Sequence, residues 1–179
     1  MNCLESQRIS IEQVDAVYRL VQQTIITVYP DYYFPEAVEF FCQIHNRGAI
    51  AKDILEGAVY GLFQGKELLA TGSYYNGHIA RLFVASNLRG QGLGGRLLEN
   101  LEYRIALERT KAVLDASRPA EEFYRHRGYW LLHCSPKAVD AGIRRSAFLG
   151  CDGKIALPIK IKQKTGREKD LFLGSVFFL

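Results

Sequence analysis

Hydrophobic positions along the chain switch between two periods. Val14, Val17, Tyr18, Val21 and Ile25 recur at helical spacing, and Ser10 with Gln13 reads as the capping box that opens the helix. Tyr29-Pro30-Asp31 breaks it. Pro35 suits the first turn of a second helix, with Glu36 near its positive end. Val38, Phe41, Ile44 and His45 share a face, and Asn46-Arg47-Gly48 stops that helix. From Val59 the pattern becomes that of strands: Val59–Gln64, a Gly65-Lys66 turn, residues 68–75, an Asn76-Gly77 hairpin turn and His78–Val84. In the last of these, Ile79, Leu82 and Val84 do not keep one parity, which predicts a β-bulge.

A leucine-rich helical pattern then begins, with Leu93, Leu97, Leu101 and Ile105 on one face. Residues 112–116 read as a short buried strand, parallel to the third meander strand because a helix connects the two. Pro119 opens another helix, Gly128 ends it, and Tyr129-Trp130-Leu131-Leu132 starts a further strand. This order predicts an α/β fold: a mixed, mostly antiparallel central sheet with helices on both faces.

At 179 residues one domain is expected, with a core over residues 1–134 and an atypical C-terminal segment of the same domain over residues 135–179. The net charge of +4 is uneven: from Ala141 onward eight basic residues face three acidic ones, so the tail carries +5 and the body −1. Ile159 and Ile161 alternate with Lys160 and Lys162 as in a strand, Gly166-Arg167-Glu168-Lys169-Asp170 reads as a turn, and Leu171 to Leu179 form a terminal apolar run. Left exposed, that run would invite aggregation. It is therefore expected to pair with a sheet edge or with another subunit, which would give a homodimer through the C-terminal strand.

The four cysteines, Cys3, Cys42, Cys134 and Cys151, form no CxxC pair and no metal-ligand spacing with histidine, so free thiols and no metal are expected. The N-terminus lacks a signal-peptide pattern, no apolar run approaches the ~20 residues of a membrane span, and no basic face with interleaved aromatics points to nucleic acid. A cytoplasmic protein with neither membrane nor nucleic-acid partner is the expectation.

The candidate chemistry lies in Arg89-Gly90-Gln91-Gly92-Leu93-Gly94-Gly95, a glycine turn between a strand and a helix. That layout points backbone N–H groups at an anion. A P-loop would end in Gly-Lys-Ser/Thr, whereas Gly95 is followed by Arg96 and Leu97. Gly90, Gly92 and Gly95 do match the spacing of a dinucleotide fingerprint, but they follow a meander rather than the first strand of a βαβ unit.

Arg89-x-x-Gly92-x-Gly94 resembles the Arg/Gln-x-x-Gly-x-Gly/Ala signature of the GCN5-related N-acetyltransferases (GNAT). In the same register, His78 to Val84 resembles that family's fourth strand and Leu114-Asp115-Ala116-Ser117 its fifth. Ala120, Phe123-Tyr124 and Gly128-Tyr129 resemble the helix that follows. The resemblance implies a splayed strand pair whose cleft holds acetyl-CoA as cosubstrate. Backbone groups of Leu82, Phe83 and Val84 would hold the pantetheine and polarise the thioester, and the pyrophosphate would rest on Arg89 to Gly95. Ser117, Phe123 and Tyr124 would complete the donor site, with Tyr124 as general acid toward the leaving thiol.

The implied reaction is direct attack by a primary amine of a small molecule or peptide. The base is open between a water relay and His78, which titrates in the useful range. Relatives often carry an acidic residue near the position of Ala80, and this chain does not. The aromatic group Tyr29, Tyr32, Tyr33 and Phe34 is read either as packing or as a wall of the acceptor pocket. A typical relative ends in two antiparallel strands with a Met-Glu-Lys-like segment. Asp152-Gly153-Lys154-Ile155 and the charge change near residue 140 instead suggest a frameshifted C-terminus. Two other functions fit the same residues: a non-catalytic module that senses acyl-CoA, and a purely structural protein.

Overall fold

The computed structural model describes residue 4, residues 6–135 and residues 152–158. Among the described residues, seven strands form one sheet: β1 (Ser6–Arg8), β2 (Val59–Gln64), β3 (Glu67–Tyr75), β4 (His78–Val84), β5 (Lys111–Ala116), β6 (Trp130–Ser135) and β7 (Asp152–Pro158). Five α-helices of the described residues accompany them: α1 (Val14–Val28), α2 (Pro35–Ile44), α3 (Arg47–Glu56), α4 (Leu93–Ala106) and α5 (Arg118–His126). The spatial order is β1-β2-β3-β4-β5-β7-β6. All neighbours are antiparallel except β4 and β5, which run parallel as the intervening α4 requires.

Two hydrophobic cores form against the sheet. One gathers Val17, Val21 and Ile25 of α1 with Phe41, Ile50, Ile54 and Phe83. The other gathers Leu97, Leu98, Leu101 and Ile105 of α4 with Leu62, Ile79, Leu114 and Tyr124. Leu97, Leu98 and Leu101 are fully buried, and each contributes roughly 1.5–3 kcal/mol of transfer free energy. The apolar periodicity of α4 is thus its packing face. Gly72 on β3 lies beneath it, where a Cβ would run into the Leu101 and Leu82 methyls.

Two elements escape the hydrophobic pattern. β1 is three mostly polar residues held by backbone pairing to Tyr60, Gly61 and Leu62. Asn46-Arg47-Gly48 ends α2 but also opens α3: the Asn46 side chain accepts a hydrogen bond from the Ala49 N–H at 2.9 Å. Only Ile50 and Ile54 of α3 are buried, too sparse a stripe to announce a helix. In the C-terminal segment, β7 lies between β5 and β6 and pairs with both. The strand expected at residues 159–162, the turn at 166–170 and the terminal apolar run lie outside the described residues, as do Cys3 and Cys151.

Candidate active site

The site begins where β4 and β5 part. Only His78 with Val113 and Ile79 with Leu114 are paired between them, after which the strands splay. The expected bulge contributes. Ser73 faces Ala80 and Thr71 faces Phe83, so Arg81 and Leu82 together oppose Gly72 alone. The extra residue turns the end of β4 away from β5.

A cavity of about 820 Å³ occupies the opening. Leu82, Phe83 and Val84 form one wall, Arg89 to Gly95 without Gln91 a second, and Ser117, Pro119, Ala120, Phe123 and Tyr124 a third. It sits at the carboxyl ends of two parallel strands, the usual place for a ligand in a sheet with crossover connections.

The second wall is the start of α4. Gly90 and Gly92 adopt left-handed φ values of 78° and 81°, which glycine reaches without the Cβ penalty of other residues. The first helical hydrogen bond runs from the Arg96 N–H to the Gly92 carbonyl at 3.0 Å. The amides of Leu93, Gly94 and Gly95 therefore have no partner within the helix. Together with the positive end of the helix dipole they attract an anion. A Cβ on Gly94 would come within 3.3 Å of a Val84 methyl and 3.6 Å of the Phe123 ring, so side chains here would narrow the channel between walls.

Arg127 reinforces this end. Its guanidinium lies against the Gly95 Cα, 5.1 Å from the Phe123 ring centroid and 3.2 Å from Glu99 Oε1. Arg89 and His126 also line the cavity. The Arg89 and Arg127 side chains and the free amides thus face the same space.

Tyr124 is buried, packed edge-on to Phe123 and Tyr129 at 5.0 and 5.4 Å. Burial pushes its phenol well above the ordinary range, and Tyr29 and Glu102 push it further in the same direction. Behind it, the Tyr129 hydroxyl donates to Glu102 Oε1 at 2.8 Å. Burial raises the Glu102 carboxyl above the usual carboxylate range, partly offset by that hydrogen bond.

Thr24, Val28 and Tyr29 at the end of α1 close the cavity on its remaining side. The Thr24 hydroxyl lies 2.8 Å from the Leu20 carbonyl oxygen and 3.2 Å from that of Val84, which ties α1 to the end of β4. Tyr29 belongs to the aromatic group read as either packing or pocket wall. It does both, contacting Phe41 edge-on at 4.9 Å while lining the cavity.

Most of the expected site residues therefore converge. Two do not. Gln91 is exposed on the glycine turn and does not line the cavity. His78 stands at the opposite, closed end of the β4–β5 pair, 3.2 Å from Asp115 Oδ2. It starts the strand whose far end forms the wall, so it does not reach the cavity. Thr24, Val28, Leu88, His126 and Arg127 were not expected there. Of these, Arg127 had a sequence signal, a cation one residue before the glycine that ends α5.

The family model for the acetyltransferase (GNAT) domain matches residues 29–146. The chain belongs to the GNAT acetyltransferase family. It is accordingly an acyltransferase enzyme. Solved structures carry the same fold. A GCN5-related N-acetyltransferase from Rhodopseudomonas palustris is 17% identical, with a TM-score of 0.76 over 88% of this chain and 97% of its own. The PaiA N-acetyltransferase of Thermoplasma acidophilum, solved with coenzyme A, is 15% identical, with a TM-score of 0.69 over 87% and 99%. The Drosophila melanogaster polyamine N-acetyltransferase is 13% identical, with a TM-score of 0.61 over 86% and 98%. No curated protein matches the GNAT chain in sequence.

Proposed function

We propose that the protein is an N-acetyltransferase that moves an acetyl group from acetyl-CoA to a primary amine of a small molecule or peptide by direct attack. One observation carries this reading: the parting of β4 from β5 opens directly onto the unpaired amides that start α4. An extended thioester can lie in the cleft while its pyrophosphate meets those amides, Arg89 and Arg127. The Thermoplasma neighbour, solved in complex with coenzyme A, supports a coenzyme A-based cosubstrate.

The chain's residues divide the chemistry as follows. Backbone groups of Leu82 to Val84 hold the pantetheine, and an N–H at the bulge polarises the thioester carbonyl as charge develops on its oxygen. An acceptor amine with a pKa near ~10.4 is neutral in only about one part in 10³ at pH 7. Its proton must leave as the C–N bond forms. With His78 at the closed end of the strand pair, a water relay along the cavity is the route to solvent.

Tyr124 faces the leaving sulfur. A phenol raised above its ordinary ~10 holds its proton against a thiolate whose conjugate acid lies near ~8.5. Its contribution is thus a hydrogen bond to the developing thiolate, and the thiolate's proton comes from solvent.

The test is thiol release from acetyl-CoA across a panel of amines, with the acetylated product identified by mass spectrometry. Amine-dependent release is expected. Tight coenzyme A binding with no release for any amine would instead favour an acyl-CoA-sensing module.

A further inference from the structure

Arg81 combines three features that the acyl-transfer chemistry does not use. It is one of two described non-glycine residues with a positive φ, at 48°. The other, Asn76, occupies the hairpin turn, where such values are ordinary. Arg81 lies inside β4, where a left-handed backbone is disfavoured for any residue with a Cβ. Its side chain is also largely buried, at 17% exposure, in an ion pair with Asp53 of α3. Finally, its Nε donates to Nδ1 of His45, just past the end of α2, at 3.2 Å.

These contacts converge on the bulge. The His45 ring stands edge-on to Phe83, with centroids 5.4 Å apart, and Phe83 is part of the cavity wall. The guanidinium therefore ties α2 and α3 to the residue where β4 changes direction. An ion pair removed from water is sensitive to the loss of either member, so the bulge and the helix pair hold each other in place.

We propose that Arg81 is a positioning residue for the acyl donor: the Asp53–Arg81–His45 clamp holds β4 in the left-handed bulge that turns Leu82, Phe83 and Val84 into the cavity. This rests on the acetyl-CoA reading given above. Arg81→Gly separates the clamp from the backbone, because glycine tolerates the left-handed conformation and makes none of the side-chain contacts. Asp53→Asn keeps the side-chain size and removes the charge. Asp15→Asn is the control. It weakens the exposed Arg47–Asp15 pair, which joins α3 to α1 away from the bulge.

The experiment is calorimetric titration of the full chain and these variants with coenzyme A, each checked for folding by thermal denaturation. Folded Arg81→Gly and Asp53→Asn are expected to bind at least tenfold more weakly, and Asp15→Asn within about twofold of wild type. Arg81→Lys, which can meet Asp53 but supplies no Nε to His45, is expected to fall between. If Arg81→Gly does not fold, Asp53→Asn decides the question alone. Unchanged coenzyme A affinity in a folded clamp variant would overturn the positioning role while leaving the donor site intact. Absence of binding by the wild-type chain would overturn the acetyl-CoA reading itself and this inference with it.

Discussion

The Tyr33 hydroxyl accepts a hydrogen bond from the Arg118 backbone N–H at 2.8 Å, across 85 residues of sequence. Arg118 is the first residue of α5, so its N–H is one that the helix cannot satisfy internally. Tyr33 satisfies it in trans and fastens the loop between α1 and α2 to the helix that carries Tyr124. Tyr29, 5.4 Å from Tyr33 between ring centroids, is held at the cavity by the same contact. Tyr33→Phe keeps the ring packing and deletes the acceptor. It is expected to lower stability by about 1 kcal/mol, measured by urea denaturation, and an unchanged midpoint would contradict the cross-chain cap.

Tyr124→Phe tests the hydrogen bond to the leaving sulfur. A bond to a charged group is worth about 1.5–3 kcal/mol, so kcat is expected to fall roughly 10- to 100-fold. The KM for acetyl-CoA should change little, because the ring and its contacts with Phe123 and Tyr129 remain. Steady-state thiol release separates the two parameters. A variant with wild-type kcat would remove Tyr124 from the chemistry.

Gly92 is the N-cap of α4 at a φ of 81°. A side chain there carries the left-handed penalty of roughly 1–2 kcal/mol, although it points into open space. Gly92→Ala is expected to destabilise the fold by about that amount and also to weaken coenzyme A binding as the amides re-aim. Denaturation and a coenzyme A titration on the same sample measure both effects. Loss of stability with unaltered binding would argue that the amides do not hold the ligand.

Tyr124 and Tyr129 also set an alkaline limit. Both phenols are raised in the folded state, first by burial and then by neighbouring groups that include Glu102. Above the unfolded value of ~10 the folded chain holds more protons than the unfolded one, so stability falls as pH rises. Their contribution is complete below about pH 10 and declines above it. Thermal midpoints measured from neutral to strongly alkaline pH should fall more steeply for wild type than for Tyr129→Phe. Parallel profiles would contradict the burial account.

Much of this was readable in the chain. The meander, the parallel β5 and the amphipathic α4 follow from hydrophobic period and turn residues, which are local signals. The bulge was visible in the broken parity of Ile79, Leu82 and Val84. The glycine turn was visible because left-handed backbone and free amides require particular residues at particular positions. What stayed hidden depends on contacts between distant segments. Asn46 reads as part of the end of one helix, and it is also the cap of the next. Arg127 reaches the cavity only because α5 lies beside the start of α4. His78 and Val84 belong to one strand, but only the far end of that strand opens from β5, so a residue at the strand's start falls outside the cavity. Arg81 carries no signal of its own along the chain, because Asp53 and His45 meet it only in the fold.

The most direct test of the donor site compares coenzyme A with pantetheine, which lacks the pyrophosphate and nucleotide, by calorimetric titration of the 179-residue chain. If the start of α4 cradles the pyrophosphate, several charge-assisted hydrogen bonds are lost with pantetheine, and coenzyme A should bind at least ~100-fold more tightly. Equal affinity for the two, or no binding of coenzyme A, would contradict the account.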